Sequence, residues 1–547
     1  MHLEYTGYMD MRKKFITLVL FITIMLAVGA GVFWAIDAVR IARGLKPVLL
    51  KPARDITEII PSIPQEKQKE SVAENTTDFP LQLPNGFFIS VYAKNLGNPR
   101  VMMWGPDGTI WTSIPSQGKV VSVRDTNGDG AADETVVVAD GLHRPHGLAS
   151  RCDPDVPCKV YIAESDQVAV YEYDAANRKV VNKKKIADLS DDGRHFTRTI
   201  MFMPYPNENT LLISVGSSCD VCHETDAQRA KILALDVQTG VLKEFAKGLR
   251  NSVFMAIHPV NGKVWATEMG RDLLGDDLPP DEINIIEEGG WYGWPWFYGK
   301  NTEDYTFSPY ARPSFAEEPK SSYIDIPAHS APLGLAFFPE EGWPEEYWHN
   351  LLVAYHGSWN KSVPTGYKLV RYRLDAQGNY LGSEDFISGW LEGDRALGRP
   401  VDILIQPGGV MYISDDKAGV IYRVARTMKQ DEIMNHIQSK AALILVAEPG
   451  PGEEIQSPLT VKGQARGYWF FEASFPVKLL DGNGKEIAVG IAQAEEEWMT
   501  TEFVPFSVTF SFQKPMTGTG TLVLKKDNPS GLPEHDDELR IPVVFSR

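Results

Sequence analysis

A chain of 547 residues is too long for one ordinary domain, and a hydrophobic content of 43% is enough to fill real cores. Lys and Arg number 54 against 72 Asp and Glu, a net charge of −18. That balance argues against a nucleic-acid partner, which needs a basic surface, and leaves small substrates open.

The first feature in chain order is an uncharged run, "FITLVLFITIMLAVGAGVFWAI", over residues 15–36, preceded by Arg12, Lys13 and Lys14. At about 1.5 Å per residue it is long enough to cross a bilayer core of about 30 Å. It is longer than the apolar core of a usual signal peptide. The expectation is an uncleaved single-pass anchor, with residues 1–14 cytoplasmic and the bulk of the chain on the extracytoplasmic side of the cell membrane. Residues 37–80 mix proline with charge and have little apolar period, and they read as a linker.

An internal repeat follows. Six segments share one shape, at residues 98–113, 144–165, 197–217, 250–270, 331–358 and 398–416. Each has a polar lead-in, an apolar strand, a Pro/Gly/Asp/Asn turn and a second strand ending in a small or polar residue. Further strands such as "KVVSVRD", "VAVYEYD", "KILALDV" and "YKLVRYRL" lie between the copies. Six such units predict an all-β, six-bladed β-propeller over 81–426. In that fold the polar lead-ins gather at one mouth of the central channel. A short helix is expected over 427–440. Alternating strands with turn signals over 441–547 predict a small immunoglobulin-like β-sandwich.

The four cysteines form two close pairs, Cys152 with Cys158 and Cys219 with Cys222. Outside the cytoplasm, local disulfides are expected. A zinc site at the CxxC would need two more ligands, and only His223 is adjacent. The segment "DTNGDGAADE" places Asp125, Asn127, Asp129 and Asp133 at positions 1, 3, 5 and 9 of a calcium loop. Position 12 is Val136, so the loop is incomplete, and a type I′ turn at Asn127-Gly128 explains the segment equally well. The stretch "GRDLLGDDLPPDEIN", residues 270–284, carries five carboxylates, including Asp281 and Glu282, and reads as a stiff acidic loop. "DDKAG" at 415–419 reads as the end of a strand in the last blade.

The motifs "GLHRPHGLA" (141–149), "HFTRTIMF" (195–202), "VGSSCDVCHE" (215–224), "GLRN" (248–251) with the acidic stretch after it, "GGWYGWPWFYG" (289–299) and "GRPVDILIQPGG" (398–409) occur in order. Together they resemble the PQQ-dependent sugar dehydrogenases, in particular the sorbosone and aldose dehydrogenase branch related to soluble quinoprotein glucose dehydrogenase. The last hundred residues resemble the immunoglobulin-like domain of bacterial spore-germination proteins. The first resemblance implies pyrroloquinoline quinone (PQQ) and Ca2+ as cofactors and a small sugar or aldehyde as substrate. Electrons would pass to a membrane acceptor, and a cell-envelope partner could dock on the C-terminal domain.

By that resemblance Arg250 and Asn251 contact the cofactor, and Arg399 does so with Arg395 as a candidate second arginine. His146 lies over the quinone. His356 and Lys361 are the two candidates for a position where the family uses lysine. Guanidinium forks suit the quinone's carboxylates. His195 matches the catalytic histidine, and a neutral imidazole can accept the proton of a sugar hydroxyl. Asp191 or Asp192 is the expected orienting carboxylate. The backbone carbonyls of Gly270 and Arg271 match the family's calcium ligands. Two other readings fit the architecture: a non-catalytic propeller used for binding, and a calcium-dependent lactonase-type hydrolase. The second would need a carboxylate-rich channel, whereas the lead-ins favour His and Arg.

Overall fold

The computed structural model describes residues 75–546, except 154–155, 308–317, 341, 427–435, 483, 516–517 and 530–535. The expected anchor and most of the linker lie outside the described residues. Among the described residues, no helix is long and apolar enough to cross a membrane.

Six four-stranded antiparallel sheets follow one another in the chain. Each expected hairpin supplies the first two strands of a sheet. Blade 1 begins with Met102–Trp104 and Ile110–Ile114, blade 2 with Gly147–Arg151 and Lys159–Ala163, and blade 3 with Ile200–Phe202 and Thr210–Val215. Blade 4 begins with Met255–Ile257 and Val264–Glu268, blade 5 with Pro332–Phe337 and Leu351–Tyr355, and blade 6 with Pro400–Gln406 and Val410–Asp415. Second strands are walled in by neighbouring sheets on both faces, so Ile110–Ile114, Val264–Glu268 and Leu351–Tyr355 are buried at every residue. Outer strands meet water: Lys179–Asp188 of blade 2 has no fully buried residue. This contrast explains why second strands read as continuous apolar runs.

Two features depart from the sequence expectation. The outer strand of blade 6 is Phe87–Ala93, from the start of the domain, paired antiparallel with Val420–Arg426. The ring is thus closed by joining its two chain ends, a pairing that no local pattern reveals. The acidic stretch also stops being a loop at Pro280. Asp281–Ile286 is the third strand of blade 4, paired with Val264–Glu268. Its two leading acids are buried because they accept hydrogen bonds: Asp281 from the N–H groups of Gly270 and Ala331, and Glu282 from Gly299.

Residues 436–440 are helical, within the expected connecting helix. Beyond them lies the expected all-β C-terminal domain, eight strands in one hydrogen-bonded order. They curl around a single core that includes Trp469, Phe475 and Phe506. This domain packs against hairpin turns on the face opposite the mouth. A Cβ on Gly408 would meet the backbone of Gly484 at 2.2 Å, and Lys525 reaches Glu340 at 3.3 Å. Both disulfides are formed, Cys152–Cys158 and Cys219–Cys222.

Asp402 joins the last blade to the first. Its buried carboxyl accepts the N–H of Met102 in blade 1 at 2.7 Å and its neighbour Ile403's N–H at 2.8 Å. Burial pushes its pKa up to about 7. A carboxyl raised above its unfolded value stabilises the fold when protonated, and that contribution fades as pH rises through the folded pKa. The expected outcome is a fall in the urea midpoint as pH rises from about 4 to about 7, levelling off above that, and shallower in Asp402→Asn. An unchanged slope in that variant would exclude Asp402 as a source of it.

Candidate active site

The first strand of each blade starts at the channel mouth, so the lead-in residues and the ends of second strands meet there. Blades 3, 4 and 5 enclose a cleft of about 160 Å3 at this mouth. Four residues given a catalytic, cofactor or metal role from the sequence line it: His195, Arg250, Asn251 and Gly270. Arg194, Asp272, Asp281, Trp359 and Asn360 join them.

His195 lies beside the end of strand Thr210–Val215. Its Nδ1 is 2.8 Å from the carbonyl oxygen of Ser217. A carbonyl can only accept, so Nδ1 carries the proton and the Nε2 lone pair is left as an acceptor. Burial, followed by the charge of Arg250, lowers the imidazole's pKa to about 3, so the ring is neutral at pH 7. The expected carboxylate partner is absent from this arrangement. Asp192 is exposed, and Asp191 lies 3.5 Å from His143 instead. A backbone carbonyl performs the orienting role, because the loop after Val215 turns back under the ring.

Arg250 is held from two sides. Nε donates to the carbonyl of Asp220 at 2.9 Å, NH2 to the Asp220 carboxylate at 2.7 Å, and NH1 to the carbonyl of Met269 at 3.2 Å. The backbone N–H of Asn251 donates to Glu268 at 2.8 Å. Its side-chain Oδ1 is buried with no hydrogen-bond partner, as is Oδ1 of Asn360. Asn360 donates through Nδ2 to Asp272 at 2.8 Å, and Asp272 also meets Arg194 at 3.2 Å. An orphaned buried oxygen costs about 1–3 kcal/mol, a penalty that a hydroxyl or a hard cation in the cleft would relieve.

Gly270 is a position only glycine fits, because a Cβ there would meet the Pro280 carbonyl at 2.8 Å and Pro279 at 2.9 Å. Its N–H donates to Asp281 at 2.8 Å. The Arg271 side chain turns away to Asp304 at 2.7 Å. The carbonyls of Gly270 and Arg271 accept no hydrogen bond among the described residues.

His146, His356 and Arg399 do not line this cleft. His146 is fully buried, with Nε2 taking a hydrogen bond from Arg100 at 3.3 Å, Nδ1 facing Thr199, and Phe254 packed on its ring. His356 lies 2.9 Å from Asp416, which also binds Arg100 at 2.6 Å. Arg399 donates to the carbonyls of His356 and Gly357. Arg395 pairs with Glu392 on a small hairpin, and Lys361 lies 3.6 Å from Asp277. The motif "HGSWN" reaches the cleft through Trp359 and Asn360, which sequence reasoning passed over in favour of the charged residues on either side. "DDKAG" is more than a strand end, since Asp416 is the hub for Arg100 and His356.

Asp125, Asn127, Asp129 and Asp133 do not converge. Asp125 accepts the N–H groups of Gly128 and Gly130, Asn127 that of Asp129, and Asp133 that of Thr126. The segment is a self-satisfied turn. No group of three or more His, Cys, Asp or Glu side chains is placed to hold a metal among the described residues.

Burial raises the Asp416 carboxyl, but His356 and the charges of Arg100 and Arg399 outweigh it and hold the group well below the usual carboxylate range. Removing one member of a buried charge cluster strands the others. Asp416→Ala is expected to lower unfolding free energy by about 3 kcal/mol in denaturant titrations. A loss below about 1 kcal/mol, the range of a solvated pair, would mean that the cluster is not desolvated.

The chain matches the TrAA12-like family over residues 81–288 and 314–427, and an immunoglobulin-like domain of bacterial spore germination over 443–531. An uncharacterized protein of Borreliella burgdorferi is 29% identical over 63% of this chain and 90% of its own length. The pyrroloquinoline quinone-dependent pyranose dehydrogenase of Coprinopsis cinerea is 24% identical over 64% of this chain, which spans 55% of that relative. Among solved structures, the family AA12 carbohydrate-active enzyme of Trichoderma reesei gives a TM-score of 0.53 at 19% identity, covering 64% of this chain and 98% of that one. The holo PQQ domain of the Coprinopsis cinerea pyranose dehydrogenase gives 0.51 at 20% identity, covering 64% and 97%. These two likenesses establish the propeller fold. By the family match, which extends over more than half of its length, the chain belongs to the TrAA12-like family, among the relatives of the PQQ-dependent sugar dehydrogenases.

Proposed function

We propose that this protein is a quinoprotein that oxidises the C1 hydroxyl of an aldose or a related sugar or aldehyde, with PQQ and Ca2+ in the cleft between blades 3, 4 and 5. The observation that carries this reading is the presence in one cleft of a neutral imidazole acceptor, a buried guanidinium and two orphaned amide oxygens. The PQQ-dependent activity in the names of its relatives from Coprinopsis cinerea and Hypocrea jecorina supports it.

The residues fit the absent groups in kind. Arg250 makes three hydrogen bonds and lies 3.7 Å from the Asp272 carboxylate, and two of its five N–H groups, one on each terminal nitrogen, make no hydrogen bond, which suits a carboxylate. The carbonyls of Gly270 and Arg271 offer hard oxygens of the type calcium takes. When bound there, PQQ would supply a hydride acceptor and Ca2+ a Lewis acid that polarises the quinone carbonyl.

The chain's own contribution is to position and to accept a proton. Ser217 fixes the His195 tautomer, so Nε2 can take the proton of the sugar hydroxyl. Arg194 and Trp359 stand at the cleft rim, with the guanidinium 5.8 Å from the ring centroid, and limit the access of water.

The bulk of the chain is proposed to lie outside the cytoplasm, tethered by residues 15–36, and the two disulfides support an oxidising compartment. Transfer of electrons to a membrane acceptor and docking of a cell-envelope partner on the C-terminal domain belong to the same proposal.

The test is to titrate the purified protein with PQQ in Ca2+, follow the cofactor spectrum, and measure dye reduction with aldoses. Failure to bind PQQ in calcium would overturn the reading. His195→Ala should keep PQQ binding and lose about 10²–10⁴-fold in turnover. Because its pKa is lowered to about 3, kcat/KM should show no inflection from His195 near pH 6.5. An inflection there that disappears in His195→Gln would refute the neutral buried base.

A further inference from the structure

The loop after strand Thr210–Val215 touches both the base and the anion donor. Ser217 supplies the carbonyl that holds His195, and its hydroxyl donates to the carbonyl of Cys219 at 2.6 Å. Ser218 closes the loop's base on Glu224 through its N–H at 2.7 Å. Between these anchors the Cys219–Cys222 disulfide rings two residues, Asp220 and Val221.

Asp220 grips Arg250 with two different oxygens. Its backbone carbonyl takes Nε and its carboxylate takes NH2, so the side edge of the guanidinium is occupied by one residue. That fixes the plane of the fork, and with NH1 donating to Met269 one N–H on each terminal nitrogen makes no hydrogen bond, NH2 lying 3.7 Å from the Asp272 carboxylate. The same Oδ1 accepts the backbone N–H of Asp272 at 2.9 Å, which holds the chain immediately after Gly270 and Arg271. One carboxylate therefore ties the proposed anion donor to the segment bearing the proposed cation ligands. Asp220 does not line the cleft itself.

We infer that Asp220 is a positioning residue, and that the Cys219–Cys222 ring exists to hold its carbonyl and carboxylate on the same edge of Arg250. This inference rests on the reading of the cleft as a quinone site. A carboxylate on a flexible loop would lose conformational entropy in making both contacts, and the ring removes much of that freedom beforehand. The positioned fork is then ready for a planar carboxylate, which two parallel N–H bonds recognise.

The experiment uses the full chain as wild type, Asp220→Ala, Asp220→Asn and the Cys219→Ser/Cys222→Ser pair. PQQ affinity in Ca2+ is read from the cofactor spectrum. In a second arm, without PQQ or Ca2+, the proteins are treated with phenylglyoxal, and modification of Arg250 is read by peptide mass spectrometry. Asp220→Ala and the serine pair are expected to weaken PQQ binding by about tenfold, with a greater effect on affinity than on turnover at saturation, since His195 keeps its own carbonyl. Asp220→Asn, which retains an acceptor oxygen, should lose less, and it decides the matter if Asp220→Ala does not fold. Arg250 should be modified about tenfold faster in Asp220→Ala than in wild type. Unchanged PQQ affinity or unchanged Arg250 labelling in the folded variants overturns the assignment. If the wild type binds no PQQ, the quinone reading fails, and the labelling arm alone decides whether Asp220 positions Arg250.

Discussion

Blades that radiate from a shared axis leave backbone N–H groups at the mouth with no strand to pair them, and a buried unpaired N–H is expensive. In this protein buried carboxyls accept them. In blades 2, 4 and 6 the acid stands at or just past the end of the second strand and takes an N–H from the same blade's lead-in: Glu164 from His143, Glu268 from Asn251, and Asp415 from Arg399. Asp281 and Asp402 do the same between blades, reaching Ala331 and Met102. Burial raises Glu268 to about 8, and Asp281 and Asp402 to about 7, so these groups keep protons that free carboxylates would release. At Glu268, Asp281 and Asp402 the ring is thus fastened by carboxyls that carry less charge than free ones would, which lessens repulsion among them.

That frame divides the mouth. On the side of blades 3, 4 and 5, His195, Arg250, Asn251 and Asn360 face a cleft with unmet hydrogen-bonding capacity. On the side of blades 5, 6 and 1, Arg100, His356 and Arg399 surround Asp416 and answer one another. The first arrangement has valences left for a ligand, whereas the second is closed. Charged residues alone would not separate them, because both sides carry arginine and histidine.

The repeat was legible because each hairpin has its turn residues at the same place, and turn chemistry is local. Closure by Phe87–Ala93 was not, since it depends on a partner more than three hundred residues away. The strand Asp281–Ile286 was hidden by its acids, which look like surface residues until the backbone donors they serve are known. His195, Arg250, Asn251 and Gly270 could be named from motifs, yet the partner of His195 could not. Its orienting group is a main-chain carbonyl of Ser217, which leaves no mark on side-chain identity. In "HGSWN" the chain turns after His356, so the histidine and Trp359 end on different sides of the mouth, and spacing does not report the turn. The acidic turn at Asp125 had calcium-loop spacing, but its oxygens are spent on its own backbone.

The carboxyl at the strand end recurs in alternate blades, and blades 1, 3 and 5 lack it. Their second strands end at Ile114, Val215 and Tyr355, and the residues beyond two of them, Ser217 and Trp359, reach the cleft or its base. Half of the blades therefore serve as fixed staves and half as interchangeable ones. Loops of the second kind are not committed to fastening the ring and can serve the cleft instead, as Ser217 does for His195 and Asp220 for Arg250.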